Sequence, residues 1–460
     1  MTASSFSSLS LSTEFLDNIR SLDYNEMTEV QARSLPVILE GKDLLGQAKT
    51  GSGKTAAFAI GLLNNLVSTE YQTQALVICP TRELADQVTQ EIRRLARAIP
   101  NTKIITLCGG KPIGAQLASL EHSPHVVVGT PGRLLKLLEN RALDVDALKT
   151  LVLDEADRML DMGFDDDIMK IIRHAPSNRQ TLLFSATYPD SIEKISNAVQ
   201  SEPVEVRVEA LHDKSILKQI IYPVGSTDRT DKLISALQKH KPESTLVFCT
   251  TRLQCQELTD EMQGYGFKAS AIHGELEQFD RDQVLVQFSN KSISILVATD
   301  VAARGLDIKD LGAVINYELS PDPEMYVHRI GRTGRAGKGG LAISLVSDYD
   351  KPRLETIEAY TDSKLDFDRS GLPRPDKSFS LRPAMTTLFI NGGRKDKVRP
   401  GDILGALTSD GYLVGSKIGK IDIFDKFSYV AVESGVAKQA LKILTAGKIK
   451  GKKIRSRLLR

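Results

Sequence analysis

Five short apolar runs in the first two hundred residues restrict the fold more than any other feature of this sequence. They are Ala75–Pro80, Lys103–Leu107, His125–Gly129, Leu151–Asp154 and Thr181–Ser185. Most are continuous rather than alternating, as strands are when both faces of a parallel sheet are covered by helices. Helical stretches such as Glu83–Ala98 lie between them. The rhythm pauses near Val206–Lys218. It resumes with Thr245–Cys249, Ser270–His273, Ile293–Thr299, Val314–Tyr317 and Leu341–Val346. Two α/β lobes joined by a short linker are expected. A second break holds Pro373, Pro375 and Pro383, which is linker composition. Beyond it the pattern becomes βαββαβ: strand Thr387–Gly393, helix Pro400–Ser409, strands Lys417–Phe424 and Phe427–Glu433, helix Val436–Thr445 and strand Lys453–Leu459. The expected division is a first lobe at 1–208, a second at 209–366, a linker at 367–383 and a small α+β domain at 384–460.

Composition narrows the class. Apolar residues make up 41% and charged residues 26%, as in ordinary globular proteins. No apolar run approaches the roughly 18 residues of a membrane span, so no membrane partner is expected. The opening MTASSFSSLSLSTEFL has no basic residue before its apolar positions, so a secretory signal is not expected either. Cys79, Cys108, Cys249 and Cys255 form no CxxC pair and no zinc-like cluster, which points to reduced thiols and a cytoplasmic location. The net charge of +2 hides a split. Residues 384–460 carry 16 Lys and Arg against 6 Asp and Glu, a charge of +10, and the other 383 residues carry −8. A basic module on a mildly acidic body suggests a polyanionic partner, although a solvated basic surface has the same composition.

Ala48–Thr55 reads AKTGSGKT, between the apolar Asp43–Leu45 and a helical AAFAIGLLNNL. This is the strand–loop–helix setting of a phosphate loop. Gly51 and Gly53 let backbone N–H groups of Ala48, Lys49, Thr50, Ser52 and their neighbours curl round phosphate oxygens, and the helix N-terminus adds positive potential. Lys54 would reach the β- and γ-phosphates of ATP, and Thr55 would ligate Mg2+. Ala48 replaces the first glycine of the strict pattern. About a hundred residues on, Asp154-Glu155-Ala156-Asp157 follows a strand, where a second half-site belongs. Asp154 would hold Mg2+, and Glu155 is placed to orient and deprotonate the attacking water.

These residues resemble the DEAD-box RNA helicases, and the family's other motifs follow in order. Tyr24 and Gln31, with an isolated Phe6, match the adenine-reading motif, although Asp23 and Met27 stand where the family usually has Gly and Pro. Then come Pro80–Ala85, Gly109-Gly110, Thr130–Arg133, Ser185–Thr187, Val247–Thr251, Gln278 with Arg281, ATDVAARGLD at 298–307 and HRIGRTGR at 328–335. The similarity covers roughly residues 6–350. It implies two tandem RecA-like parallel-sheet lobes. It also implies that Gln31 reads the adenine edge, with Tyr24 or Phe6 packed near the base. Ser185 and Thr187, with His328, would couple hydrolysis to RNA work. Arg329, Arg332 and Arg335 recur every three residues, so helical or near-helical backbone would put them on one side. By resemblance Arg332 and Arg335 are arginine fingers, opposite Lys54 and Glu155 on the other lobe.

RNA contacts implied by the resemblance are Arg82, Gly110, Thr130 and Arg133 in the first lobe. In the second they are Arg252, Arg281, Thr299, Gly305 and Asp307. Contacts of this kind go to phosphate and ribose and carry no sequence information. Asp307, also placed in the nucleotide set, would accept a ribose 2′-OH and so favour RNA over DNA. The C-terminal segment resembles an RNA-recognition module, with Phe389, Phe427 and Tyr429 able to form an aromatic platform for bases or to fill the core. Asp425-Lys426 replaces the usual basic-Gly start of its third-strand motif. A second possible surface is basic: Arg394, Lys395, Lys397 and Arg399, and a tail cluster with Lys450, Lys452 and Lys453. RPGDILGAL at 399–407 and GKIKGK at 447–452 are similar to the bacterial DbpA subfamily. That resemblance implies a monomeric, ATP- and Mg2+-dependent helicase that grips a peptidyl-transferase-region hairpin of large-subunit ribosomal RNA in pre-ribosomal particles. An ATP-gated RNA clamp, a general RNA chaperone with a non-specific tail and, more distantly, a DNA translocase are the other readings.

Overall fold

The computed structural model describes residues 5–48, 51–208, 217–225, 228–303, 311–334, 339–368, 371–376, 378–409 and 413–459. In the first lobe seven strands form one parallel sheet: β1 Leu44–Gln47, β2 Ala75–Ile78, β3 Ile104–Leu107, β4 Val126–Gly129, β5 Thr150–Leu153, β6 Gln180–Ser185 and β7 Val204–Arg207, in the order β3-β4-β2-β5-β6-β1-β7. The apolar runs are continuous because each strand feeds two cores. Leu44, Val77, Val128, Val152 and Leu182 pack on one face, while Leu45, Leu76, Val127, Leu151 and Leu183 pack on the other. Successive side chains of a strand point to opposite faces, so two covered faces require apolar residues at every position.

The second lobe repeats the architecture with β8 Leu217–Pro223, β9 Thr245–Cys249, β10 Ala269–Ile272, β11 Ile295–Thr299, β12 Ala313–Asn316 and β13 Gly340–Val346. All its pairings are parallel, in the order β10-β11-β9-β12-β13-β8. Sequence reading places a pause near 206–218, yet β8 begins at Leu217 and pairs with β13 over seven residues. The segment read as a free linker is also partly structured. Asp368 N donates to Ile221 O and Ile221 N to Asp366 O, both at 3.0 Å, so the chain bridges to β8 beside Phe367. Tyr222 Oη and Lys239 Nζ donate to Asp368 Oδ2 at 2.9 and 2.8 Å. Leu372, Phe379 and Leu381 then pack on the lobe's core.

The C-terminal domain has the expected βαββαβ order: β14 Met385–Ile390, helix Pro400–Thr408, β15 Ile418–Ile423, β16 Ser428–Glu433, helix Ala437–Ala446 and β17 Ser456–Leu458. Its antiparallel sheet runs β15-β16-β14-β17. Leu388, Ile390, Val430 and Val432 face the two helices. Alternation sends Thr387, Phe389, Tyr429 and Ala431 to the other face. That face lies on the second-lobe helix Gln278–Ser289 and the turn after it. Phe279 meets the rings of Phe427 and Phe389 edge-on, at 5.3 and 6.5 Å between centroids. Thr387 Oγ1 pairs with Ser292 Oγ at 2.6 Å and accepts from Asn290 Nδ2 at 3.3 Å. Arg457 lies over Phe389 and donates to Gln283 Oε1 at 3.4 Å. The expected architecture of two RecA-like parallel-sheet lobes and a small antiparallel domain is the one observed. Among the described residues no helix is long and apolar enough to cross a membrane.

Candidate functional site

Apart from the adenine-reading motif, which precedes β1, the first-lobe motifs fall just beyond the carboxyl ends of strands, where ligands bind open parallel sheets. Ala48–Thr55 follows β1, Ser185–Thr187 closes β6, Asp154–Asp157 follows β5, and Pro80–Ala85 follows β2. Since β1, β6 and β5 are neighbours, the phosphate loop, the Ser-Ala-Thr element and the acidic motif are adjacent.

Gly53 has φ 101° and caps the helix Lys54–Asn64. Its left-handed backbone is open to glycine without steric cost. A Cβ there would also fall 2.6 Å from Gln31 Nε2 and 2.9 Å from Thr28 Oγ1. Gln31 is buried, donates to Gly53 O at 3.1 Å and accepts from Thr28 N at 2.9 Å. The residue expected to read adenine is thus bonded to the phosphate loop. Tyr24 donates to the Glu91 carboxylate, and burial together with that bond raises its phenol well above the ordinary range. Phe6 sits edge-on to Tyr24 at 6.2 Å, inside the core with 4% exposure, so of the two aromatics Tyr24 keeps the more open ring. Asp23, in place of the family's glycine, has φ 64°.

Lys54 is buried and donates to Ala48 O at 2.7 Å. Asp154 is buried as well. Desolvation pushes its carboxyl up to about 7, against the pull of Lys54 and with a further push from Glu155. Glu155 has φ 52° and ψ 52° and accepts from Arg158 Nη1 at 2.6 Å, both side chains being 4% exposed. Asp157 Oδ2 accepts from Ala186 N, Thr187 N and Thr187 Oγ1, each at 3.1 Å. The acidic motif is therefore fastened to the coupling element expected at Ser185 and Thr187. Ser185 Oγ is buried without a hydrogen-bond partner among the described residues. Nothing in the sequence motifs assigns a part to Arg158 or to the Asp157 bonds. The three-residue spacing of Glu155 and Arg158 on a helix start was the available signal.

Of the first-lobe residues expected to contact RNA, Arg82 opens the helix Arg82–Leu95 and lies across Gly109-Gly110. Gly110 has φ 73°, and a Cβ there would collide with the guanidinium. The close approach this glycine permits is therefore made by Arg82 of the same lobe. Thr130 caps the helix Pro131–Glu139, and Arg133 donates twice to Lys111 O at 3.3 Å. In the second lobe Arg252 opens the helix Arg252–Gly264 and pairs with Glu275, while Arg281 Nη2 donates to Ala302 O at 2.7 Å. Thr299 ends β11.

Two expectations change. The arginines at 329 and 332 do not share a helix, because Pro323–Ile330 stops at Gly331. Arg329 points into the lobe, 1% exposed, held by both Asp300 oxygens at 2.6 and 2.8 Å, by Asn316 Oδ1 and by Glu318 O. Arg332, in the following turn, is largely buried, and His328 Nε2 lies 3.9 Å from Glu324 Oε1. The aromatic platform is also covered. Tyr429 is fully buried and its hydroxyl has no partner among the described residues, while Phe389 and Phe427 pack on Phe279. No base can stack on Tyr429 in this arrangement. Lys450, Lys452 and Lys453 are exposed. Lys49, Thr50, Gly305, Asp307 and Arg335 lie outside the described residues.

Comparison with known proteins agrees with this geometry. The DEAD/DEAH box helicase family profile matches residues 28–195, the helicase conserved C-terminal domain matches 228–337, and the DbpA RNA binding domain matches 387–458. Among solved structures, Saccharomyces cerevisiae Dbp5 bound to RNA and ADP BeF3 superposes with a TM-score of 0.71 at 29% identity, over 79% of this chain and 95% of that one. Fold and site together define a two-lobed helicase of the DEAD-box class. The ATP-dependent RNA helicase DbpA of Escherichia coli K12 is 53% identical over 97% of both chains, and that of Bacillus subtilis 168 is 38% identical over 98% of both. The chain belongs to the DbpA family of ATP-dependent RNA helicases: it hydrolyses ATP and binds RNA.

Proposed function

We propose that this helicase locally unwinds short RNA duplexes and is directed by its C-terminal domain to large-subunit ribosomal RNA, at the peptidyl-transferase hairpin of assembling particles in the cytoplasm. It would act as a monomer divided at 1–208, 209–366, 367–383 and 384–460. The C-terminal domain carries this reading. It has the DbpA RNA-binding match and a charge of +10. Because Phe279 covers its aromatic face, the basic clusters with Lys450, Lys452 and Lys453 are the better candidates for the RNA surface.

In the hydrolytic step Lys54 binds the β- and γ-phosphates and Glu155 takes the proton of the attacking water. Arg332 and Arg335 supply positive charge to the transferring phosphoryl group when the lobes close. Thr55 and Asp154 would hold Mg2+. Hard oxygen donors suit that ion, and a buried carboxyl raised to about 7 marks a site short of positive charge. When bound, such an ion would supply positive charge that offsets the phosphate charge. ATP and RNA both favour the closed state by contacts made only there, so they bind cooperatively. Local strand bending then separates short duplexes rather than driving long travel.

The test is steady-state ATP hydrolysis with two RNAs of similar length, one carrying the peptidyl-transferase hairpin, using the full chain and residues 1–380. Strong stimulation by the hairpin RNA alone, lost on truncation, is expected. Equal stimulation by both RNAs would leave the helicase and remove the ribosomal target. Hydrolysis without strand separation would favour an ATP-gated clamp.

A further inference from the structure

Arg158 stands on the first turn of the helix Ala156–Asp161, three residues after Glu155. Its Nη1 donates to Glu155 Oε2 at 2.6 Å, and each side chain is 4% exposed. A buried ion pair seldom stabilises a fold more than well-packed apolar side chains would, because desolvation of two charges offsets their attraction. Stability alone is therefore a poor reason for this pair. Two further observations give it a direction. Glu155 has left-handed backbone, φ 52°, a region sparsely used by non-glycine residues, and it does so while buried. Arg158 also donates its backbone N–H to Asp157 Oδ1 at 3.0 Å, and the other oxygen of Asp157 carries the three bonds from Ala186 and Thr187. One residue thus touches the carboxylate assigned to base catalysis and the carboxylate that holds the coupling element.

We infer that Arg158 is a positioning residue for hydrolysis: it fixes the Glu155 carboxylate where it meets the attacking water and ties that orientation to the Ser185–Thr187 element. The inference rests on Glu155 being the base. In the step it serves, the water oxygen bonds to the γ-phosphorus and its proton passes to Glu155. The bond from phosphorus to the bridging oxygen breaks, leaving its electron pair on ADP. Arg158 neither gains nor loses a proton.

The experiment uses the full chain with ATP, Mg2+ and RNA, and the variants R158M, R158K, E155Q and the double R158M/E155Q. RNA-stimulated kcat and KM for ATP are measured together with the affinity for a fluorescent ADP analogue. A misplaced reacting group costs on the order of 100-fold, so R158M is expected to lower kcat by roughly 10- to 100-fold. Its KM and its affinity for the ADP analogue should stay within about twofold. R158K should recover part of the rate, and the double variant should be no slower than E155Q. If E155Q is slow while R158M keeps full kcat, the positioning role is wrong and Glu155 remains the base. If E155Q keeps full kcat, the base assignment and the positioning role fail together. If R158M and R158K both lose nucleotide binding along with kcat, the pair is structural, and the inference is again overturned.

Discussion

Single residues carry the departures from the family pattern, and the structure explains one of them. Asp23 occupies the left-handed region at φ 64°, where Asp and Asn are tolerated better than other non-glycine residues because their short side chains bond locally. Replacing it by a β-branched residue should be costly: Asp23→Val is expected to destabilise the first lobe by about 1–2 kcal/mol, read as a lower midpoint in urea with unchanged slope. Asp154 gives a pH signature. Its carboxyl is raised to about 7 in the folded chain, from an ordinary 3.8. The folded state then holds the proton more tightly than the unfolded one, so stability declines as pH rises between those values. In the presence of a chelator and without nucleotide, Asp154→Asn should melt higher than the parent chain at pH 8. The gap should close as pH falls towards 4, and each kcal/mol recovered is worth about 2–4 °C in a domain of this size. An equal gap at both pH values would contradict the burial argument.

At the scale of elements, the sequence was most legible where each residue had one reason to be apolar. The two-faced strands from Ala75 to Ser185 were readable because each packs a core on both faces of the sheet. Motif residues were readable because phosphate chemistry needs particular groups at fixed spacing. Three things were not. The strand Leu217–Pro223 lies at the last place in the sheet order, where Lys218 and Gln219 interrupt the apolar run. Gly331 ended a helix whose arginine spacing suggested that it continued. The docking of Phe279 depends on a tertiary pairing that no local pattern encodes. Its only trace was the pair Phe389 and Tyr429, apolar on the sheet face away from the helices, where a sheet with one free face would be polar. Phe279→Ala should weaken that docking. Phe279 is 41% exposed, so the loss should fall below the roughly 3–5 kcal/mol of a fully buried Phe. It should show as faster limited proteolysis in 367–383, with RNA-independent ATP hydrolysis unchanged. Unaltered cleavage would mean that the aromatic contact does not hold the domain.

At the scale of the whole molecule, the basic C-terminal domain is joined to the second lobe twice, once by the helix Gln278–Ser289 and once by the chain along β8. The same helix carries Arg281, the residue expected to contact RNA from this lobe. On the proposed reading, anchor and grip stand at a fixed interval. A strand caught by the basic tail can offer the lobe only the stretch lying at that interval from the point of capture. An enzyme so built would behave as a ruler: where it opens a duplex would be measured out from where it is moored, and shifting the mooring sequence by a few nucleotides should shift the opened segment by the same number.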